Sequence, residues 1–276
     1  MSGTFLYGGT VRANGILQHY LRYGAGDVGR GTGNPALVLV PGIITPAAVW
    51  DFVARRFGRA YDTYLLDVRG RGLSERGPQL GYTLDDYAAD VIEFARAVGI
   101  GRYILLGHSM GARIAIRAAR RAPEGLERVV LVDPPVSGPH RRAYPSKLEG
   151  VLKLLHAAYR GEAYEALTAP GVARWPEALT RVRAEWLHTC DERAVVETHR
   201  GFHEEDIHDD LPHIRIPAAL IAAGKGDVIR AEDEAEIRAL MPSIEVRRVE
   251  DAGHQVPVDD FEGFFAAVSS VLGRAL

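Results

Sequence analysis

The chain has 276 residues, of which 47% are hydrophobic and 25% charged. These are ordinary values for a soluble globular protein of one large domain, and they exclude a disordered, collagen-like or disulfide-stapled scaffold. Its 33 basic and 36 acidic residues leave a net charge of -3, which gives no electrostatic case for nucleic acid or an anionic membrane as partner. Taken in chain order, Val11 to Tyr23 reads as two extended segments around Asn14-Gly15, a strong hairpin signal. Ala36–Val40 is a short β-branched run ended by Pro41-Gly42, as suits a strand covered on both faces. A helix over Trp50–Phe57 and a strand over Thr63–Leu66 come next. A helix over Leu84–Val98 leads to the strand Tyr103–Leu106, and a long helix to about Arg121 precedes the strand Val129–Val132. From Pro134 to about Leu211 the pattern is helical throughout. Ala218–Ala223, Glu232–Leu240, Ile244–Val249 and Phe261–Leu272 then restore strand, helix, strand and helix.

Alternation of this kind with one helical interruption predicts an α/β fold: a mostly parallel sheet flanked by helices, with right-handed crossovers. The expected division is a core of residues 1–134 and 212–276 and a helical cap of residues 135–211, inserted after the sixth strand. Ligands of such sheets bind beyond the carboxyl ends of the strands, so the decisive residues are sought there.

Gly107-His108-Ser109-Met110-Gly111 fits G-x-S-x-G between a strand and a helix. In that pattern the serine sits on a strained turn above the sheet, next to a helix N-terminus that favours negative charge. A serine needs a base to act as nucleophile. His254, in Asp251-Ala252-Gly253-His254 after Ile244–Val249, stands on a loop at the same edge. The base in turn needs an acid to orient it, and two aspartates compete. Asp133 ends the strand Val129–Val132 and Asp227 lies in Gly224-Lys225-Gly226-Asp227; position alone favours Asp227. An oxyanion hole requires two backbone N–H donors. Met110 follows the nucleophile, and Ile43, with Ile44 as the alternative, follows the first central strand. Asp67, in Asp67–Ser74, reads as turn chemistry and loop packing. The spacing of His199, His203 and His208 does not form HExxH, and no metal is expected.

On these residues the chain resembles the α/β-hydrolase-fold serine hydrolases over essentially its whole length. Further segments narrow the resemblance: Ala13–Gly24, Leu66–Ser74, Gly107–Arg113, Val132–Pro139 with Arg141–Lys147, and Ala184–Cys190. With these it is similar to the N-formylmaleamate deformylases of aerobic nicotinate degradation. The resemblance implies Ser109 as nucleophile, His254 as base and Asp133 as acid. It implies an amidohydrolase that releases formate through a formyl-serine intermediate, with no metal or organic cofactor. Asp227 is a departure from what that family is expected to carry and keeps the choice of acid open.

The implied partner is a small-molecule carboxylate. Arg141 and Arg142 are the expected bidentate ligands for its carboxylate. Arg174, Arg181 and Arg183 are weaker candidates because helical cap arginines usually face water, and Trp175 and Trp186 are expected to pack the cap. Ser109 excludes the aspartate-nucleophile branch of the fold. It leaves an enol-lactonase, a carbon–carbon bond hydrolase or a carboxylesterase as alternative, and a non-catalytic hydrolase-like binding protein as the remotest. Cys190, the single cysteine, reads as a buried inert thiol. Neither a basic n-region nor an apolar h-region opens the chain, and no run approaches the ~18 apolar residues of a bilayer span. A cytoplasmic location is expected; oligomeric state is left open.

Overall fold

The computed structural model describes residues 4–24, 34–172 and 175–276. An eight-stranded sheet forms its centre. β1 (Phe5–Ala13) and β2 (Ile16–Tyr23) are the antiparallel hairpin expected at Asn14-Gly15. Both turn residues have positive φ, 48° and 79°, the backbone that a two-residue turn needs to match the strand twist. β1 begins at Phe5 rather than Val11. Its first residues are exposed on both faces, so no buried alternation marks them as a strand.

β2 runs antiparallel to β4 (Thr63–Leu66). From β4 through β3 (Ala36–Val40), β5 (Tyr103–His108), β6 (Leu126–Val132), β7 (Ala218–Ala223) and β8 (Glu245–Val249) every neighbouring pair is parallel. Both faces of β3, β4, β5, β7 and the second half of β6 are covered, which is why they read as near-continuous apolar runs, whereas the edge strand β8 is only partly buried. Leu37, Leu39, Ile104 and Leu106 pack against α1 (Asp51–Phe57) and α10 (Phe261–Leu272). Val38, Val40 and Leu105 share the opposite core with α2 (Leu84–Val98) and α3 (Met110–Arg120). Thr83 begins α2 with a reciprocal cap to Asp86, and Gly99 ends it at φ 78°, a left-handed position that glycine adopts without strain.

Between β6 and β7 the chain leaves the sheet for α4 (Leu148–Tyr159), α5 (Ala163–Thr168), α6 (Glu177–Leu187) and α7 (Glu192–Glu204). Arginines of α3 tie this insert to the core. Arg113 donates to the carbonyls of Pro135, Ser137 and Glu205, and Asp210, fully buried, accepts from Arg117 and Arg120. Two elements complete the chain order: α8 (Ala231–Leu240), and α9 (Val256–Asp259), a single turn after β8. Because β3, β5, β6, β7 and β8 are parallel, their carboxyl ends form one edge beneath the inserted helices. The loops leaving that edge carry Ile43, Ser109, Asp133, Asp227 and His254.

Candidate active site

Ser109 occupies a sharp turn at φ 55° and ψ -119° between β5 and α3. Its N–H is held by the carbonyl of Val132 at 2.9 Å. A left-handed backbone in a residue other than glycine costs on the order of 1–3 kcal/mol, so the surroundings must enforce it. The two flanking glycines show how. A Cβ on Gly107 would lie 2.0 Å from the carbonyl oxygen of Gly111, and one on Gly111 would lie 1.9 Å from that of Val40. Any side chain at either position would collide with backbone, and the helix could not approach the strands closely enough to lift the serine above the sheet.

His254 meets Ser109 from the loop after β8. Its Nε2 lies 3.0 Å from Ser109 Oγ, and its Nδ1 lies 2.7 Å from Asp133 Oδ2. A carboxylate only accepts, so Nδ1 carries the proton and Nε2 is free to accept from the serine hydroxyl. Asp133 is fully buried, at φ 45°, and its other oxygen accepts from the N–H of Ala223 at 3.2 Å. The structure therefore corrects the expectation drawn from position alone. Asp227 is solvent-exposed and its carboxylate is turned to Arg230, three residues on, at 2.7 Å. Arg230 holds that carboxyl below its usual range.

Ile43 and Ile44 line the same cavity as Ser109. The Ile43 N–H has no hydrogen-bond partner among the described residues, and Met110 opens α3, where a first N–H has no intrahelical acceptor. A residue that the sequence reading passed over orients this loop. Arg71, buried, donates from Nε to the carbonyl of Ile43 at 3.0 Å, and from its other nitrogens to Tyr87, Thr198 and the carbonyl of Ala194. One guanidinium thus links the Ile43 peptide to α2 and α7. Asp67 is structural, as expected: it accepts from the N–H groups of Ala47 and Leu73 and from His19.

Two further side chains surround His254. Tyr144 places its hydroxyl 3.3 Å from Nε2, and burial pushes the phenol up to about 12, with a hydrogen bond to Ser109 opposing the shift. It stays a neutral donor at the reacting end of the imidazole. His108 lies between Trp50 and His254, with ring centroids 5.2 and 5.1 Å away. Its Nε2 donates to the backbone carbonyl of His254 at 2.8 Å, while Nδ1 is buried without a partner. Burial, reinforced by His254, lowers the His108 pKa to about 3. Between that value and the ordinary one near 6.5, the unfolded chain binds a proton that the folded chain refuses. Stability should therefore fall as pH drops through this window, by at most about 1.4 kcal/mol per pH unit from this group. Urea unfolding at pH 7, 6, 5 and 4 should show a shallower acid loss for His108→Asn than for the wild type. Equal slopes would remove His108 as the source.

The cavity over Ser109 measures about 200 Å³ and is lined by residues of the strand-end loops and of the insert, among them Tyr144, Trp175 and Arg183. This is smaller than the usual 300–1,000 Å³ of ligand sites, and it favours a compact substrate. Arg141 and Arg142 do not line it, which corrects the expectation placed on them. Arg141 forms a two-pronged pair with Glu236 at 2.8 and 2.9 Å, and Arg142 binds Asp233 and the carbonyls of Asp227 and Val228. Both clamp the insert to α8. Arg181 pairs with Glu177, and Arg174 lies outside the described residues. Trp175 departs from its expected packing role by facing the cavity.

The histidines of α7 and its end take local partners: His199 donates to the carbonyl of Ser146, His203 binds the carbonyl of His199, and His208 meets Asp206. Cys190 is buried, and burial raises its thiol to about 12, so it is inert at neutral pH.

Fold and site together define a hydrolase of the alpha/beta hydrolase family, to which the chain belongs; that family's sequence profile matches residues 37–268. The chain is 54% identical over 273 residues to the N-formylmaleamate deformylase of Pseudomonas putida, covering 99% of each sequence. The crystal structure of the N-formylmaleamic acid deformylase of another Pseudomonas putida strain superimposes with a TM-score of 0.87 at 45% identity, covering 95% of this chain and all of that one. A 2-(acetamidomethylene)succinate hydrolase of Mesorhizobium japonicum is 28% identical over 83% of this chain and 87% of its own length. No helix among the described residues is long and apolar enough to cross a membrane.

Proposed function

We propose that this protein hydrolyses the N-formyl amide of N-formylmaleamate to maleamate and formate, in the cytoplasm, with Ser109 as nucleophile, His254 as base and Asp133 as the orienting acid. The observation that carries the substrate is the 54% identity to a deformylase, extending over 99% of both chains and so through the inserted helices that roof the cavity. The hydrogen-bonded chain from Asp133 through His254 to Ser109 supports the chemistry. Residues 135–211 act in this reading as the cap over a core of residues 1–134 and 212–276.

The steps follow from the geometry. Ser109 Oγ attacks the formyl carbon as its proton passes to His254 Nε2. The former carbonyl oxygen becomes an oxyanion held by the N–H groups of Ile43 and Met110, which are fixed in advance and need no reorganisation. The carbon–nitrogen bond then breaks, and Nε2 returns the proton to the maleamate nitrogen. That nitrogen is flanked by a second carbonyl in the substrate and leaves more readily than a plain amine. Water, deprotonated by His254, attacks the formyl-serine ester; formate leaves and Ser109 recovers its proton. Each proton taken by His254 is given back within the cycle, and the Asp133 carboxylate stabilises the imidazolium while it exists.

Purified protein should release one formate per N-formylmaleamate consumed, measured with a formate dehydrogenase assay. Turnover of nitrophenyl esters with no formate from N-formylmaleamate would retain the serine hydrolase and discard the substrate.

A further inference from the structure

Among the described residues that line the Ser109 cavity, one cation is left unused by the proposed chemistry. Arg183 projects from α6 into the cavity that holds Ser109, His254 and Tyr144. Among the described residues it makes no hydrogen bond and no ion pair. Its guanidinium carbon sits 4.5 Å from the centroid of the Trp175 ring, a cation–π contact that supplies modest attraction. Among the described residues, no Asp or Glu lines the cavity. The other ionisable groups there do not answer the charge: the Tyr144 phenol is neutral, and burial keeps His199 below its ordinary pKa while it donates to Ser146. Loss of surrounding solvent draws even Arg183 down to about 10, so it remains charged at neutral pH.

The contrast with the other arginines of the insert is sharp. Arg141, Arg142 and Arg181 each have a carboxylate. A desolvated, unpaired guanidinium is expensive, and an anionic ligand would relieve that cost. The planar fork of arginine matches a carboxylate two bonds at a time.

We propose that Arg183, held over the Trp175 ring, is the carboxylate anchor of the Ser109 cavity and makes it selective for small acids over neutral esters and amides of the same size. The inference rests on the deformylase reading only for which acid is bound. With the anion fixed at Arg183, the opposite end of a short substrate is directed to Ser109, so the anchor acts on binding and orientation rather than on the proton transfers.

The test compares Arg183→Met and Arg183→Lys with the wild type on N-formylmaleamate and on the neutral ester p-nitrophenyl formate. It adds inhibition of the ester reaction by maleamate. For Arg183→Met, kcat/KM on N-formylmaleamate should fall about 10- to 100-fold more than on the ester, the value of a charge-assisted hydrogen-bonded pair. Most of the loss should appear in KM, and Arg183→Lys should recover part of it. Competitive inhibition by maleamate should weaken in parallel.

Were the wild type to release no formate from N-formylmaleamate, inhibition of the ester reaction by maleamate that weakens in Arg183→Met would still support the anchor, while the deformylase reading fell. Equal losses on anionic and neutral substrates would reduce Arg183 to a structural role and overturn the proposal. So would a variant that binds maleamate as the wild type does.

Discussion

Replacing Ser109 by alanine is expected to lower kcat for formate release by about a million-fold, as removal of a nucleophile from a triad acting as a unit does, with little change in KM. On the proposed reading the binding contacts of the substrate lie elsewhere in the cavity, whereas covalent chemistry has no second route. Position 109 should keep the strained φ of 55° seen for Ser109, because the close packing of backbone at Gly107 and Gly111 that surrounds it is unchanged. The variant should therefore fold as the wild type does and lose only the hydroxyl that lies 3.0 Å from His254 Nε2. Two consequences separate this from general damage. A fluorophosphonate probe that labels the wild type should leave Ser109→Ala unlabelled, and adding His254→Ala to Ser109→Ala should cost little more, since the base has nothing left to activate. Formate release within tenfold of wild type would require an attacking water activated directly by His254, and the acyl-enzyme route would be wrong.

What the sequence made legible depended on how local the physical cause was. The hairpin at Asn14-Gly15, the buried strands and the elbow at Ser109 each follow from a handful of neighbouring residues: positive φ at a tight turn, apolar runs covered on both faces, glycines where a Cβ would strike backbone. His254 was legible because it follows the last strand, whose carboxyl end lies at the same edge as that of β5. The carboxylate partner of His254 was not legible from position. Asp133 and Asp227 both follow adjacent interior strands, and the contacts differ by side-chain direction: Asp133, at φ 45°, turns inward to His254, while Asp227 finds Arg230 within its own turn. The arginines failed for a related reason. Arg141 and Arg142 are consumed by Glu236 and Asp233 on α8, acids far along the chain that no local pattern connects to them. Arg183 on α6 turns into the cavity rather than to water. The reach of Arg71 from the Asp67–Ser74 loop to the Ile43 carbonyl likewise exists only once β3 and β4 lie side by side.

Asp133→Asn should lower kcat by about ten thousand-fold, the loss seen when a triad aspartate becomes asparagine, whereas Asp227→Asn should leave it unchanged. Asparagine tolerates the left-handed backbone at 133, and its carbonyl oxygen can still accept from the Ala223 N–H, as Asp133 Oδ1 does now. Its amide nitrogen then faces His254 Nδ1 and can only donate. The imidazole must accept there and carry its proton on Nε2, the nitrogen that has to take the proton of Ser109. The site would stay intact in shape and be blocked in tautomer, so KM should move far less than kcat. Asp227→Asn removes an exposed pair with Arg230, which is screened by solvent and touches no part of the cavity. The reverse outcome, an active Asp133→Asn and a disabled Asp227→Asn, would require the loop after β7 to abandon Arg230 and swing its carboxylate to His254 Nδ1. Asp133 already fills that place at 2.7 Å from a fully buried position. A variant still active with asparagine there would show that His254 is oriented by something else, and its backbone bond to His108 would be the first place to look.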